Sequence, residues 1–270
     1  MNSILPPILR LFAASLGTIF SVNAAEPEPS TMSASELASR LSAKQQDGNS
    51  IVRLRMETSG AAKSTLQLQI KSRATRAGTD LVYQVLWPKE RKGESVLLRK
   101  SGNRAPTGAI YAPSGAVRSL NAVQMDDRLF GSALSYEDVI ENFFAWDQQA
   151  IVGTEVVDRV TCQILESKPG KSGHSSYSSV RTWVDTRRLV PLRVEKYAGS
   201  GRPARRIETT RVVTDDAGRA IPANLTISGG GDAVTELDGS RIKHGVTFSE
   251  DEFTFEGLQK APAARGSSEQ

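Results

Sequence analysis

The chain has 270 residues, 39% of them hydrophobic, with 34 basic and 30 acidic side chains and a formal charge of +4. That length and apolar content suffice for one large core, and the basic residues are scattered without interleaved aromatics, which gives a nucleic-acid-binding surface no support. Two histidines and a single cysteine, Cys162, exclude an intramolecular disulfide and leave no zinc-ligand spacing.

In chain order, the first expectation is a secretory signal. The apolar run from Ile4 to Ile19 is interrupted by Pro6, Pro7 and Arg10 and is followed by Val22-Asn23-Ala24, a small-residue cleavage site. It is too short and too broken to span a bilayer comfortably. The expected organisation is a signal peptide over 1–24, a flexible leader over 25–32, a single β domain over 33–260 and a disordered tail over 261–270. The product is expected to be a soluble monomer in the periplasm.

Ser33 and Glu36 then form a capping-box pattern, and Leu37 and Leu41 with Ala34 and Ala38 give a first helix a modest apolar stripe that ends before Gly48. Strand patterning follows. Val52, Leu54 and Met56 alternate with Arg53, Arg55 and Glu57, and Leu66, Leu68 and Ile70 alternate with Gln67, Gln69 and Lys71. Strands continue through Thr79–Trp87 and Ser95–Arg99, then as two short strands around Pro113-Ser114-Gly115.

Arg128–Trp146 breaks the series. Tyr136, Val139, Ile140, Phe143 and Phe144 fall at i, i+3, i+4, i+7 and i+8, which predicts one amphipathic helix with a bulky apolar stripe. Ser135 is its expected N-cap, and Glu137 and Asp138 place negative charge at the positive end of the helix dipole. Alternation resumes from Ala150 and runs to a last strand region marked by Phe248, Phe253 and Phe255. The pattern is mainly β with a few helices, about ten to twelve strands in all. An open antiparallel sheet of that size curls, so the expected architecture is one large curled sheet, a half-open barrel closed by helices.

The catalytic alternatives are weak. His174 sits in a Gly/Ser loop, and Gly170-Lys171-Ser172 lacks the first glycine of a phosphate loop, position 165 being Leu. Ser240 and Lys243 have the spacing of a hydrolase pair without its companion motifs. The pairs Asp126-Asp127 and Asp215-Asp216 sit beside turns, where acids are usually solvated. Cys162 lies in an apolar run and reads as a buried small hydrophobe. No catalytic residue, cofactor or metal is expected, and the chain reads as a binding protein rather than an enzyme.

Tyr111-Ala112-Pro113 followed by Arg118, then Leu129-Phe130-Gly131-Ser132, Leu134–Asp138, Cys162–Pro169, Tyr177–Val180 and Trp183-Val184-Asp185 occur in an order and spacing that resembles the outer-membrane lipoprotein-sorting family, the LolA-like carriers. The resemblance covers Ile51–Phe255 and is most specific between Tyr111 and Asp185; Ala133-Leu134 replace the family's usual Asp-Phe, and Ser119 stands where a second Arg is common. It implies a half-open β-barrel closed by helices that holds acyl chains in an apolar cavity and moves lipidated cargo across the periplasm. Partners implied are lipid or lipidated protein cargo and an inner-membrane transporter of the resistance-nodulation-division (RND) or ABC type. On this reading Val139, Ile140, Phe143, Phe144 and Trp146, with Leu66, Leu68 and Tyr83, line the cavity. The alternative is a non-catalytic periplasmic sensor or accessory module of a transporter that binds a protein partner.

Cleavage after Ala24 predicts a mature N-terminus at Ala25. Edman degradation or intact-mass measurement of the exported protein checks this, and an intact Met1 would refute it.

Overall fold

The computed structural model describes residues 31–259 apart from 47, 61–62, 172 and 200. The signal peptide expected over 1–24 and the tail expected over 261–270 lie outside the described residues.

Period-two alternation builds the sheet. In β1 (Ser50–Ser59) Arg53 and Arg55 are exposed and Met56 is buried, and in β2 (Ser64–Ala74) Leu66 and Leu68 are buried on either side of exposed Gln67. The antiparallel register Met56↔Leu66 and Leu54↔Leu68 puts these four side chains on one face. The first wing continues with β3 (Gly78–Trp87), β4 (Ser95–Ser101), β5 (Thr107–Tyr111) and β6 (Arg118–Leu120). The second comprises β7 (Gln148–Val157), β8 (Val160–Lys168), β9 (Ser179–Asp185), β10 (Val190–Tyr197), β11 (Arg205–Thr214), β12 (Ala220–Gly229) and β13 (Val234–His244).

Among the described residues they form one 13-stranded sheet in the order β6-β5-β4-β3-β2-β1-β13-β12-β11-β10-β9-β8-β7. Each pair is antiparallel and consecutive in sequence except β1 with β13, which meet in the middle. The two edge strands, β6 and β7, are therefore joined directly by the chain, and residues 121–147 make the crossing. The sheet is open, mainly β, and covered on its inner face by helices.

The crossing is stitched to the sheet along its length. Leu129–Gly131 form a 3₁₀ turn inside a tight loop closed by Leu129 N to Leu134 O at 2.8 Å and Tyr136 N to Asp127 O at 3.2 Å. Ala133 N donates to Thr235 Oγ1 at 2.8 Å, which reaches the middle of the sheet. Helix α1 (Ala34–Gln45), with Ser33 as its N-cap, packs Leu37, Ala38 and Leu41 on the same inner face over the second wing.

The predicted single helix is broken. Helix α2 covers only Tyr136–Ile140, Glu141 and Asn142 leave helical geometry, and Phe143–Ala145 form a separate 3₁₀ turn. Competition for partners explains the break: Lys100 Nζ lies 2.7 Å from Glu141 Oε2, Asn142 Nδ2 donates to Ser42 Oγ of α1 at 2.9 Å, and asparagine readily trades helix bonds for side-chain ones. The C-terminal expectation also changes. Phe253 closes a 3₁₀ turn opened by a Ser249/Glu252 capping box, and Phe255 begins α3 (Phe255–Gln259); Phe253 and Leu258 bury against Val82, Leu97 and Ala109 on the outer face of the first wing.

A buried ion cluster locks α2 to the second wing. The Asp138 carboxylate is fully buried and accepts from Lys196 Nζ at 2.8 Å, Tyr177 Oη at 2.8 Å and, with its other oxygen, Arg205 Nε at 2.7 Å and the Ser135 amide at 2.8 Å. Burial pushes its pKa up, but Lys196 and Arg205 more than offset that and hold it below the ordinary carboxylate value. A depressed folded-state pKa stabilises above the unfolded pKa near 3.9, and that stabilisation is lost as pH falls through the folded value. Asp138→Ala leaves two buried cations uncompensated and should cost about 3–5 kcal/mol at neutral pH. Urea unfolding at a series of pH values should show the gap from wild type shrinking below about pH 4.

Candidate ligand-binding site

The eight residues expected to line a cavity do not share one space. Leu66 and Leu68 pack with Met56 and Val85. Tyr83 and Ile140 belong to a cluster with Val96, Leu98 and Tyr136, and half-buried Val139 packs against it and against the Ala133/Leu134/Ile227 cluster. Phe143 and Phe144, each 8% exposed, pack with α1, Leu165 and Val184, and Trp146 packs against the same group. The Phe143 ring also contacts that of Phe144, tilted 53° to it with centroids 4.4 Å apart. The break after Ile140 divides the stripe, so its first half serves the first wing and its second half serves α1. Ile140 and Trp146 also border a small cleft of about 110 Å³ with Lys100, Glu141 and Asn142.

An open, more apolar pocket of about 510 Å³ lies at the first wing, where the loop around Phe130 meets β4, β5 and β6. Val96, Ile110, Phe130 and Tyr136 form its wall, and Arg91, Arg118 and Arg128 stand around it. Its size falls in the range of small-molecule sites, roughly 300–1,000 Å³. Phe130 has φ 52 and ψ 22, a left-handed conformation that costs a residue with a side chain roughly 1–2 kcal/mol, and Gly131 follows at φ 83. The strain is held by its surroundings: the Phe130 ring packs against both the Tyr83/Val96 cluster and the Leu66/Leu68 cluster, and Arg128 donates to the Gly230 carbonyl. Of the wall residues the sequence reading singled out Tyr136 within the helix stripe. Arg118 and Phe130 carried only the family resemblance, and no periodicity marks a phenylalanine that turns left-handed.

The remaining chemical residues separate. His174 is exposed, Cys162 is buried with its thiol pushed up to about 11 chiefly by burial, and the side chain of Ser240 and all of Ser172 lie outside the described residues. The expectation of a solvated Asp215 is corrected. Its side chain is fully buried and accepts from Ala217 N at 3.0 Å, Arg219 N at 2.7 Å and Arg219 Nε at 3.0 Å, so it organises the β11–β12 turn. Asp215, Asp216 and His244 bring ligand atoms within 4.8 Å of one another, a juxtaposition the sequence spacing did not reveal. The Arg219 guanidinium already neutralises that carboxylate, and a metal ion would compete with it for the same oxygens.

The chain forms an open single-sheet half-barrel whose two edge strands are joined by a crossing packed on the inner face. Within it, residues 78–260 match the model of a family described as "-like: Uncharacterized protein", and the chain belongs to that family. Among solved structures, a DUF1329 family protein from Desulfovibrio piger is similar with TM-score 0.76 and 22% identity, over 84% of this chain and 98% of the other. A protein domain from Vibrio parahaemolyticus, described as outer membrane lipoprotein-sorting, is similar with TM-score 0.75 and 20% identity over 84% and 98%. A LolA superfamily protein from Nitrosomonas europaea gives TM-score 0.65 and 18% identity over 83% and 98%. At these identities the likeness establishes the fold. No curated protein matches the chain in a sequence search.

Phe143 is enclosed by packed neighbours, so Phe143→Ala should cost roughly 3–5 kcal/mol in denaturant unfolding. The fraction that remains folded should bind a fluorescent fatty-acid probe as wild type does; weakened binding would return Phe143 to the binding site.

Proposed function

We propose that the protein is a non-catalytic periplasmic carrier that shields the acyl part of a lipid or lipidated protein between the sheet and its crossing. The observation that carries this reading is the pocket beside Phe130, which is open to solvent and bordered by Val96 and Tyr136 of the apolar inner-face cluster. Acyl chains enter along Val96, Ile110 and Phe130 and reach toward Tyr83, Val139, Leu66 and Leu68, while Phe143, Phe144 and Trp146 hold α1 in place. The likeness to a domain described as lipoprotein-sorting and to a LolA superfamily protein supports the same reading.

Export is supported by the Val22-Asn23-Ala24 site, and no helix among the described residues is long and apolar enough to cross a membrane. An inner-membrane transporter of the RND or ABC type is the proposed source of the cargo, and the outer membrane its direction.

Protein purified from the periplasm under mild conditions should carry co-purifying lipid, detected by organic extraction and mass spectrometry, and should take up a fluorescent fatty-acid probe once delipidated. Neither lipid nor probe uptake would overturn the carrier reading in favour of an accessory module that binds a protein partner.

A further inference from the structure

The pocket beside Phe130 is not uniformly apolar. Its wall is built of Val96, which is 1% exposed, with Ile110 and Phe130, but its surroundings are cationic. The three guanidiniums there differ in how far the protein has used them. Arg91 is held by Glu94 in a two-pronged ion pair, Nε to Oε1 at 3.0 Å and Nη2 to Oε2 at 2.6 Å, so its charge is matched. Arg128 donates to the Gly230 carbonyl, which anchors it without neutralising it. Arg118, exposed on the edge strand β6, has no ion pair and no side-chain hydrogen bond among the described residues. Glu94 is the acid that lines the pocket among the described residues; Asp127, whose charge acts on Tyr136, does not line it.

A second group points the same way. Tyr136 is 8% exposed and lines the pocket, yet its hydroxyl has no hydrogen-bond partner among the described residues. The ring is buried while the hydroxyl tip faces the open pocket, where a ligand oxygen can take the place of water. Burial raises its pKa, so it stays protonated and is available as a donor.

We propose that this pocket is the headgroup site of a phosphate-bearing acyl lipid, with Arg118 and the Tyr136 hydroxyl donating to phosphate oxygens and Arg128 adding positive charge. The proposal rests on the carrier reading and names the class of cargo. A phosphate has several acceptor oxygens and can meet a guanidinium fork and a hydroxyl together, which suits arginine better than any neutral head would. Free phosphate would leave the Val96–Ile110 wall without a partner, whereas an acyl chain continues the contact inward past Phe130, whose ring touches both neighbouring apolar clusters.

The test uses protein purified from cells expressing the full chain, delipidated, with dodecyl phosphate, dodecanol and inorganic phosphate as probes in displacement of a fluorescent fatty acid. Wild type should bind dodecyl phosphate about tenfold or more tighter than dodecanol, and inorganic phosphate alone should not displace the probe. Arg118→Ala, at an exposed position that leaves the fold intact, should remove most of that preference while leaving dodecanol binding unchanged. Tyr136→Phe, which keeps the ring, should reduce it severalfold. Equal binding of the two amphiphiles by wild type, or an unchanged preference in Arg118→Ala, would overturn the headgroup site and leave the carrier reading standing. Binding of neither amphiphile would overturn both. Displacement by inorganic phosphate alone would mean that the site takes the free anion, and would overturn the assignment to a lipid.

Discussion

The carboxylate of Asp138 is the point on which the arrangement of the inner face depends. A charge removed so completely from water is tolerated only when opposite charges and donors surround it, and Lys196, Arg205, Tyr177 and the Ser135 amide supply them. Those partners come from different places. Lys196 and Arg205 sit on β10 and β11, and Tyr177 precedes β9, so one side chain of a five-residue helix fixes that helix against three parts of the second wing. Glu141, one residue past the helix, makes the matching attachment to Lys100 on β4 of the first wing. A helix too short to be stable alone is thereby made rigid by its ends and its acids.

The strand order explains why such staples are needed. Pairing β1 with β13 in the middle leaves β6 and β7 as free edges far apart in the sheet, and open sheets of this size do not fix their own curvature. The single crossing from β6 to β7 sets the separation of those edges. Its bonds to Thr235 at the centre and to Lys100, Lys196 and Arg205 on the wings tie both halves to one segment. The apolar clusters beneath the crossing follow, because each wing needs a lid for its inner residues.

Much of this was legible in the sequence, and the parts that were not have physical causes. Strands with one wet and one dry face announce themselves by alternation, as in Leu66-Gln67-Leu68, and β2 is found where that pattern lies. Ser135 was readable as a cap because its hydroxyl stands just before the apolar stripe begins, and the structure adds that Asp138 bonds back to its amide. The break at Glu141–Asn142 was not readable, since the stripe at Phe143 and Phe144 keeps helical spacing while the contacts that break the helix come from Lys100 and Ser42, distant in sequence. Phe253 and Phe255 looked like strand residues for the opposite reason: their alternation is real, but Ser249 and Glu252 nucleate a turn before a strand can form. The pocket was the least visible feature, because it is made where Arg118, Phe130 and Val96 meet through the fold and no local spacing relates them.

The two ends of the crossing are held by different means, and on the carrier reading this decides where cargo enters. The α2 end is pinned by buried charges on both wings, and lifting it would expose Lys196 and Arg205 without their carboxylate. The Phe130 end is held by a backbone amide on Thr235, a carbonyl accepting from exposed Arg128, and the packing of one ring over a left-handed backbone. Relaxing that backbone removes strain instead of creating buried charge, and swinging the ring aside connects the pocket to the clusters around Tyr83 and Leu68. The Phe130 end is therefore the less firmly held of the two, and on the carrier reading the loop at residues 128–135 is the proposed entry for an acyl chain, with α2 as the fixed end.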